Sequence, residues 1–308
     1  MKKIFKIMVI VMLCLLLALI GIVIYASNKS FVPENYTTNV QTGGAIESKY
    51  ISMGRYEVSY KETPVLQNFK KYEIYYPTKL ESESKSYPVV VVANGSGLPA
   101  SKYPALQKHL ASWGFVVIAT EETYSWNGFG AEMSLRHLNM LNNTENIGDE
   151  HNIFYKKIDL ENVGITGHSQ GGVGVFNAIT ANKHGETYKA GVALSPTKMD
   201  LADNLEWRYD VSGIRIPMLL LSSSDEKAYV DPSSLKDIYN YLPHDQLKVM
   251  ATRNGAEHND MLYFSDGYVT AWFMWHLQGD TEAEKAFIGE KAEILNNKLY
   301  QNQHINSK

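Results

Sequence analysis

One stretch constrains this chain more than any other: Asn162-Val163-Gly164-Ile165-Thr166-Gly167-His168-Ser169-Gln170-Gly171-Gly172-Val173-Gly174. An apolar, β-compatible run leads into it, and a helix-compatible run over 173–181 leaves it. A serine with a glycine two residues away on each side, between a strand and a helix, reads as a nucleophile elbow. There the hydroxyl is forced up at the top of a parallel sheet. Gly167 and Gly171 stand where a Cβ would strike the neighbouring strand or helix, and Gly172 and Gly174 let the helix lie close on the sheet. The pentapeptide alone is a modest signal, and its strand–turn–helix setting gives it weight.

The rest of the chain supplies a sheet for that elbow. Residues 89–93 are a continuous β-branched run introduced by Pro88, as expected of a strand buried on both faces. Further short apolar runs at 115–119, 190–194, 218–222 and 247–251 alternate with helical spacings at 103–113, 131–141, 234–241 and 268–277. Stretches 55–60 and 71–76 read as an antiparallel edge pair. From Thr281 onward Phe287, Ile288, Ala292, Leu295 and Leu299 recur at helical spacing, which predicts a surface helix. Strands alternating with helices predict an α/β domain with a mostly parallel sheet covered on both faces. The 194–218 connection is too short for a large lid domain, so an open, shallow site is expected.

Lys2, Lys3 and Lys6 precede an apolar run over 7–24, about the length that crosses a hydrocarbon core of roughly 30 Å. Basic residues before it predict a cytoplasmic N-terminus with the remainder exported. A cleaved signal peptide has a shorter apolar core and a small-x-small site. Here Ile24 stands two positions before Ala26, so an uncleaved anchor over 1–26 is favoured, with secretion after cleavage as the alternative. Residues 27–49, rich in Ser, Asn, Thr and Gly, read as a flexible stalk, and 50–308 as the catalytic domain. A net charge of -4 offers no basic stripe for nucleic acid. The single cysteine, Cys14, lies inside the apolar run, so no intrachain disulfide is expected. Neither C-x-x-C nor H-E-x-x-H occurs, which leaves no sequence case for zinc.

A serine hydroxyl needs a base, and the base needs an orienting carboxylate. In sheets of this kind both follow the serine, at strand ends, in the order Ser, acid, His. Of nine histidines, His258 alone lies in a loop directly after the last predicted strand. His168 adjoins the serine and is expected to pack or hydrogen-bond beside the elbow. Asp225, three residues beyond the 218–222 strand, is the expected acid. Asp231 is read as the cap of the next helix, and Glu226 as turned elsewhere by one step along the loop. The two oxyanion donors are expected to be the Gln170 amide, at the helix start, and an amide of the Asn94-Gly95-Ser96-Gly97 loop, Ser96 before Gly97.

With these residues in view the chain resembles the α/β-hydrolase fold. Within it, Gly167–Gly172, Asp225 and His258 look most like the dienelactone-hydrolase, cutinase-like polyesterase and platelet-activating-factor acetylhydrolase branch, over about residues 89–277. The resemblance implies a serine hydrolase of carboxylic esters working through an acyl-enzyme, with no cofactor or metal. Small or lipid-like esters would be its substrates. An acyltransferase with the same triad is the alternative reading, ahead of a peptidase or a non-enzymatic binding module. Bacterial polyesterases commonly carry an aromatic residue where Ser96 stands and a tryptophan where Thr197 stands. Those absences argue against an aromatic polyester unless Tyr124, Trp126 or Trp207 supplies the clamp.

Overall fold

The computed structural model describes residues 2–64, 69–226 and 228–306. Its main sheet has nine strands: β1 (Val58–Pro64), β2 (Lys71–Pro77), β3 (Tyr87–Ala93), β4 (Val116–Thr120), β5 (Ile158–His168), β6 (Tyr188–Leu194), β7 (Met218–Ser223), β8 (Lys248–Arg253) and β9 (Tyr300–Ile305). They lie in the order β1-β2-β4-β3-β5-β6-β7-β8-β9. The run from β4 to β8 is parallel. β1 and β2 at one edge and β9 at the other are antiparallel. Val89, Val90 and Val91 are all fully buried, because helices cover both faces.

The helices are α1 (Lys2–Asn28), α2 (Pro104–Ser112), α3 (Phe129–Asn143), α4 (Gln170–Thr180), α5 (Pro232–Tyr241) and α6 (Asp266–Gln278), with shorter helical turns between them. α3, α4 and α5 pack on one face of the sheet through Leu138, Phe176 and Ile238. α2 and α6 cover the other through Leu110, Trp272 and Phe273. The chain leaves β3 toward β4 on one side, and β5 joins β3 on the other. A crevice opens where the strand order reverses, at the carboxyl ends of β3 and β5. β5 ends at His168, so Ser169 stands at that crevice.

Two expectations need correction. The stretch after Thr281 is not one long surface helix. It forms a single turn at Thr281–Glu284, another at Glu293–Asn296, and then β9. Gly289 at φ 75° interrupts it. The polar β9 segment carries little strand signal of its own and is ordered by pairing with the free edge of β8. The 27–49 stretch is also not a slack stalk. Val32 and Tyr36 are buried, and a short helix, Ala45–Ile51, packs on α6. Two buried polar clusters hold this segment. The Tyr36 hydroxyl donates to Asp266 Oδ2 at 2.5 Å, and His109 Nδ1 lies 2.6 Å from the same oxygen. The Glu47 carboxylate accepts from Asn297 Nδ2 and the Tyr300 hydroxyl, each at 2.8 Å.

α1 contains a 22-residue span, Ile4–Tyr25, long and apolar enough to cross a membrane by length and composition.

Replacing Tyr36 with Phe removes a buried donor to a carboxylate and should lower unfolding stability by about 1–3 kcal/mol. Urea unfolding of the detergent-solubilised protein measures this, and an unchanged midpoint would mean that the Tyr36–Asp266 hydrogen bond contributes nothing to the fold.

Candidate active site

Ser169 occupies φ 58°, ψ -120°, a conformation that costs a non-glycine residue of order 1–3 kcal/mol. Neighbouring backbone holds it there. Its amide donates to Leu194 O at 2.8 Å, and its carbonyl accepts from Gly172 N at 2.9 Å. The glycines are required by close approach: a Cβ on Gly167 would lie 2.2 Å from Gly171 O, and one on Gly171 would lie 2.1 Å from Ala93 O. β3, β5 and α4 therefore meet at one point. Ser169 is half-buried at the top of it.

His258 follows β8 and stands beside the elbow. Its carbonyl accepts from His168 Nε2 at 2.8 Å, and the two rings are 4.5 Å apart. That bond requires His168 to carry its proton on Nε2. Burial holds His168 neutral, with its pKa pushed down to about 3. It thus acts as the hydrogen-bonding neighbour expected from its position.

The carboxylate that meets His258 is not Asp225. Glu226 Oε2 lies 2.5 Å from His258 Nδ1, and the Glu226 side chain is nearly buried. Its other oxygen accepts from Tyr229 N at 2.8 Å. Asp225 is exposed, accepts from Ser224 Oγ at 2.7 Å, and is pinned by its amide to Ala256 O at 3.1 Å. The physical reason lies in the loop path. β7 runs on through Ser223, the Asp225 amide is spent on the His258 loop, and the side chain of Asp225 is left facing water. The next residue turns inward, and its extra methylene lets the carboxylate reach the ring. Asp231 caps α5, as read, accepting from Ser234 N at 3.0 Å.

Burial pushes the His258 imidazole down to about 4, so it rests neutral at pH 7. A carboxylate against Nδ1 selects the tautomer protonated there, leaving Nε2 bare as a base, and favours the imidazolium once Nε2 takes a proton.

Gln170 opens α4, where an amide has no intrahelical acceptor and the helix dipole favours negative charge. Its side chain is fully buried, and Oε1 accepts from Ser125 N at 2.9 Å. On the facing loop, the Gly97 amide already donates to Thr123 O at 3.0 Å, which removes it as an oxyanion donor. Ser96 is exposed at the tip of that turn, with no acceptor on its amide among the described residues. Asn94 anchors the loop by donating to Thr120 O and Glu122 O.

Two residues of this site escape sequence reasoning. One is Glu226, for which the only signal was a second carboxylate next to the chosen one. The other is Tyr229, half-exposed with its ring 4.7 Å from that of His258. No motif marks Tyr229.

Glu226→Gln should lower kcat for a soluble aryl ester by about 10²–10⁴, the range seen when an orienting carboxylate is neutralised. Asp225→Asn should leave it close to wild type. Parallel steady-state kinetics of the two variants decide the matter, and the reverse pattern would restore Asp225.

The chain matches the family described as PETase, PET hydrolase-like, over residues 37–304. It is 25% identical over 211 residues to Cutinase 2 of Thermobifida cellulosilytica, covering 68% of this chain and 74% of that one. Cutinase cut1 of Thermobifida fusca is also 25% identical over 211 residues, which is 68% of this chain and 60% of the cutinase. Cutinase est2 of Thermobifida alba is 25% identical over 185 residues. With the parallel sheet, the strained serine and the family match together, the chain belongs to the PET hydrolase-like family of α/β-hydrolases and is a carboxylic-ester hydrolase.

Proposed function

We propose that this protein is a membrane-tethered, extracytoplasmic serine esterase in which Ser169, His258 and Glu226 form the triad and the amides of Gln170 and Ser96 form the oxyanion hole. The observation that carries the reading is His258, set between the elbow on one side and a buried carboxylate 2.5 Å from its Nδ1 on the other. Ser169 Oγ attacks the ester carbonyl carbon while His258 Nε2 takes the hydroxyl proton. The tetrahedral oxyanion is met by the two amides, each such donor being worth about 10²–10³ in turnover. As the carbon–oxygen bond to the leaving alcohol breaks, His258 returns the proton to that alcohol. Water then attacks the acyl-enzyme, with His258 again as base, and frees the carboxylic acid and the serine. Glu226 balances the imidazolium.

The cutinase names of the relatives support a carboxylic ester as substrate. Ser96 and Thr197 leave the mouth of the site without the aromatic pair of the polyesterase pattern. Tyr229, its ring 4.7 Å from that of His258, is an aromatic surface available to meet a substrate. Lys2, Lys3 and Lys6 ahead of the apolar run over 7–24 support the extracytoplasmic location.

Ser169→Ala should abolish both aryl-ester turnover and labelling by a fluorophosphonate probe. A variant that still labels at the wild-type rate would remove Ser169 from the mechanism. The pH profile gives an independent check. The neutral imidazole is the active form and burial lowers its pKa, so kcat/KM should stay flat as pH falls through the ordinary histidine value near 6.5. It should drop with a single-proton limb between about 4 and 6.5. A limb above 6.5 would mean that a different group controls the base.

A further inference from the structure

We propose that the membrane helix joins the catalytic domain without slack at the rim of the active site, which favours membrane-borne esters of the same bilayer over those of an opposing membrane. This rests on the anchor and the Ser169 chemistry proposed above.

The junction is short and fixed. Lys29 N still donates to Tyr25 O, so the helical path runs to the end of the apolar span and just beyond it. At the next residue the chain is already bound to the domain: Ser30 Oγ donates to Lys102 O at 3.1 Å, and Phe31 N donates to the same carbonyl at 2.6 Å. Val32 is then fully buried and Tyr36 nearly so. At the helical rise of 1.5 Å per residue, Ser30 stands about 8 Å beyond Tyr25. That is roughly the depth of one headgroup layer, given a hydrocarbon core of about 30 Å inside a bilayer of about 40–45 Å.

The place where the tether docks is equally specific. Val32 and Tyr36 pack in one apolar cluster with Tyr103, Leu106 and Leu262, flanked by Leu98 and Tyr263. Leu98 lies two residues after Ser96, and Leu262 lies four residues after His258. The tether is therefore held by the loops that carry the proposed oxyanion donor and the base. Lys102 and Ser96 are six residues apart, a span of at most about 20 Å even when fully extended. Ser96 must then lie within roughly 30 Å of Tyr25, whatever angle the domain takes to the membrane. A free stalk over 27–49 would have allowed as much as about 75 Å. Phe31, at the junction, and Tyr229, beside His258, are exposed aromatic side chains of the kind that settle at a membrane interface. Glycerolipid-type esters hold their carbonyls at that depth, and a soluble polymer or an opposing membrane does not.

The test uses the full chain reconstituted in phosphatidylcholine vesicles with a fluorogenic long-acyl ester that does not exchange between membranes. The ester is placed either in the same vesicles or in separate, protein-free ones. Hydrolysis in the same vesicles should exceed that in separate ones by at least about tenfold, because the tether sets the effective concentration. A Gly/Ser insert of 25 residues between Asn28 and Lys29 should erode that preference and raise hydrolysis across vesicles. Equal rates in the two arrangements, or an insert without effect, would overturn the inference, as would recovery of membrane-derived protein cleaved after Ala26. Turnover of a soluble aryl ester by the same preparations separates the causes. If it persists, only the preference fails; if it is absent in wild type, the Ser169 chemistry fails and the inference falls with it.

Discussion

Everything at the catalytic crevice depends on how closely three backbones meet beneath Ser169. The Ala93 carbonyl comes so near Gly171 that a Cβ there would sit 2.1 Å away, and Gly167 and Gly171 are just as tightly apposed. No side chain larger than hydrogen is compatible with that contact, and relieving it means separating β3 from α4. The same contact forces Ser169 into its positive φ. It also brings the turn after β3 to the first amide of α4, so two backbone donors from distant parts of the sequence can converge. Asn94 and Ser125 then lock that turn to its neighbours, Ser125 Oγ donating to the Asn94 carbonyl and Asn94 Nδ2 donating to Thr120 and Glu122.

The acid illustrates how little chain separates two different chemistries. Asp225 and Glu226 are adjacent and equally charged in the sequence. One is solvated and bonded to a serine hydroxyl; the other is buried with one oxygen on His258 and the second on the Tyr229 amide. A buried carboxylate is costly unless it is paired, and Glu226 has the Tyr229 amide on one oxygen and His258 Nδ1 within 2.5 Å of the other. The longer side chain suits a loop that has already used the Asp225 amide to tie β7 to the His258 loop.

On the opposite side of the same loops, the N-terminal segment is integrated through polar groups removed from water. Asp266 meets both Tyr36 and His109, and Glu47 meets Asn297, Tyr300 and the Gly43 amide. Such clusters hold only when every member is in place, which makes the segment part of the domain and not a spacer. What composition suggests is slack is the element that joins the apolar N-terminal helix to the domain.

The amino-acid sequence by itself determined the sheet, the elbow and the placing of His258 in the loop after β8. These depend on local signals: β-branched runs, glycines around one serine, and chain order along a parallel sheet. The membrane-length helix was equally legible, because a long uncharged apolar run needs no partner to be recognised. Tertiary structure alone decided which of two neighbouring carboxylates meets His258, that Gly97 has already spent its amide, and that β9 forms from a polar tail. It also decided that residues 30–51 are packed. Each of these turns on which groups a loop finds when it arrives, and a partner tens to hundreds of residues away leaves no mark in local composition.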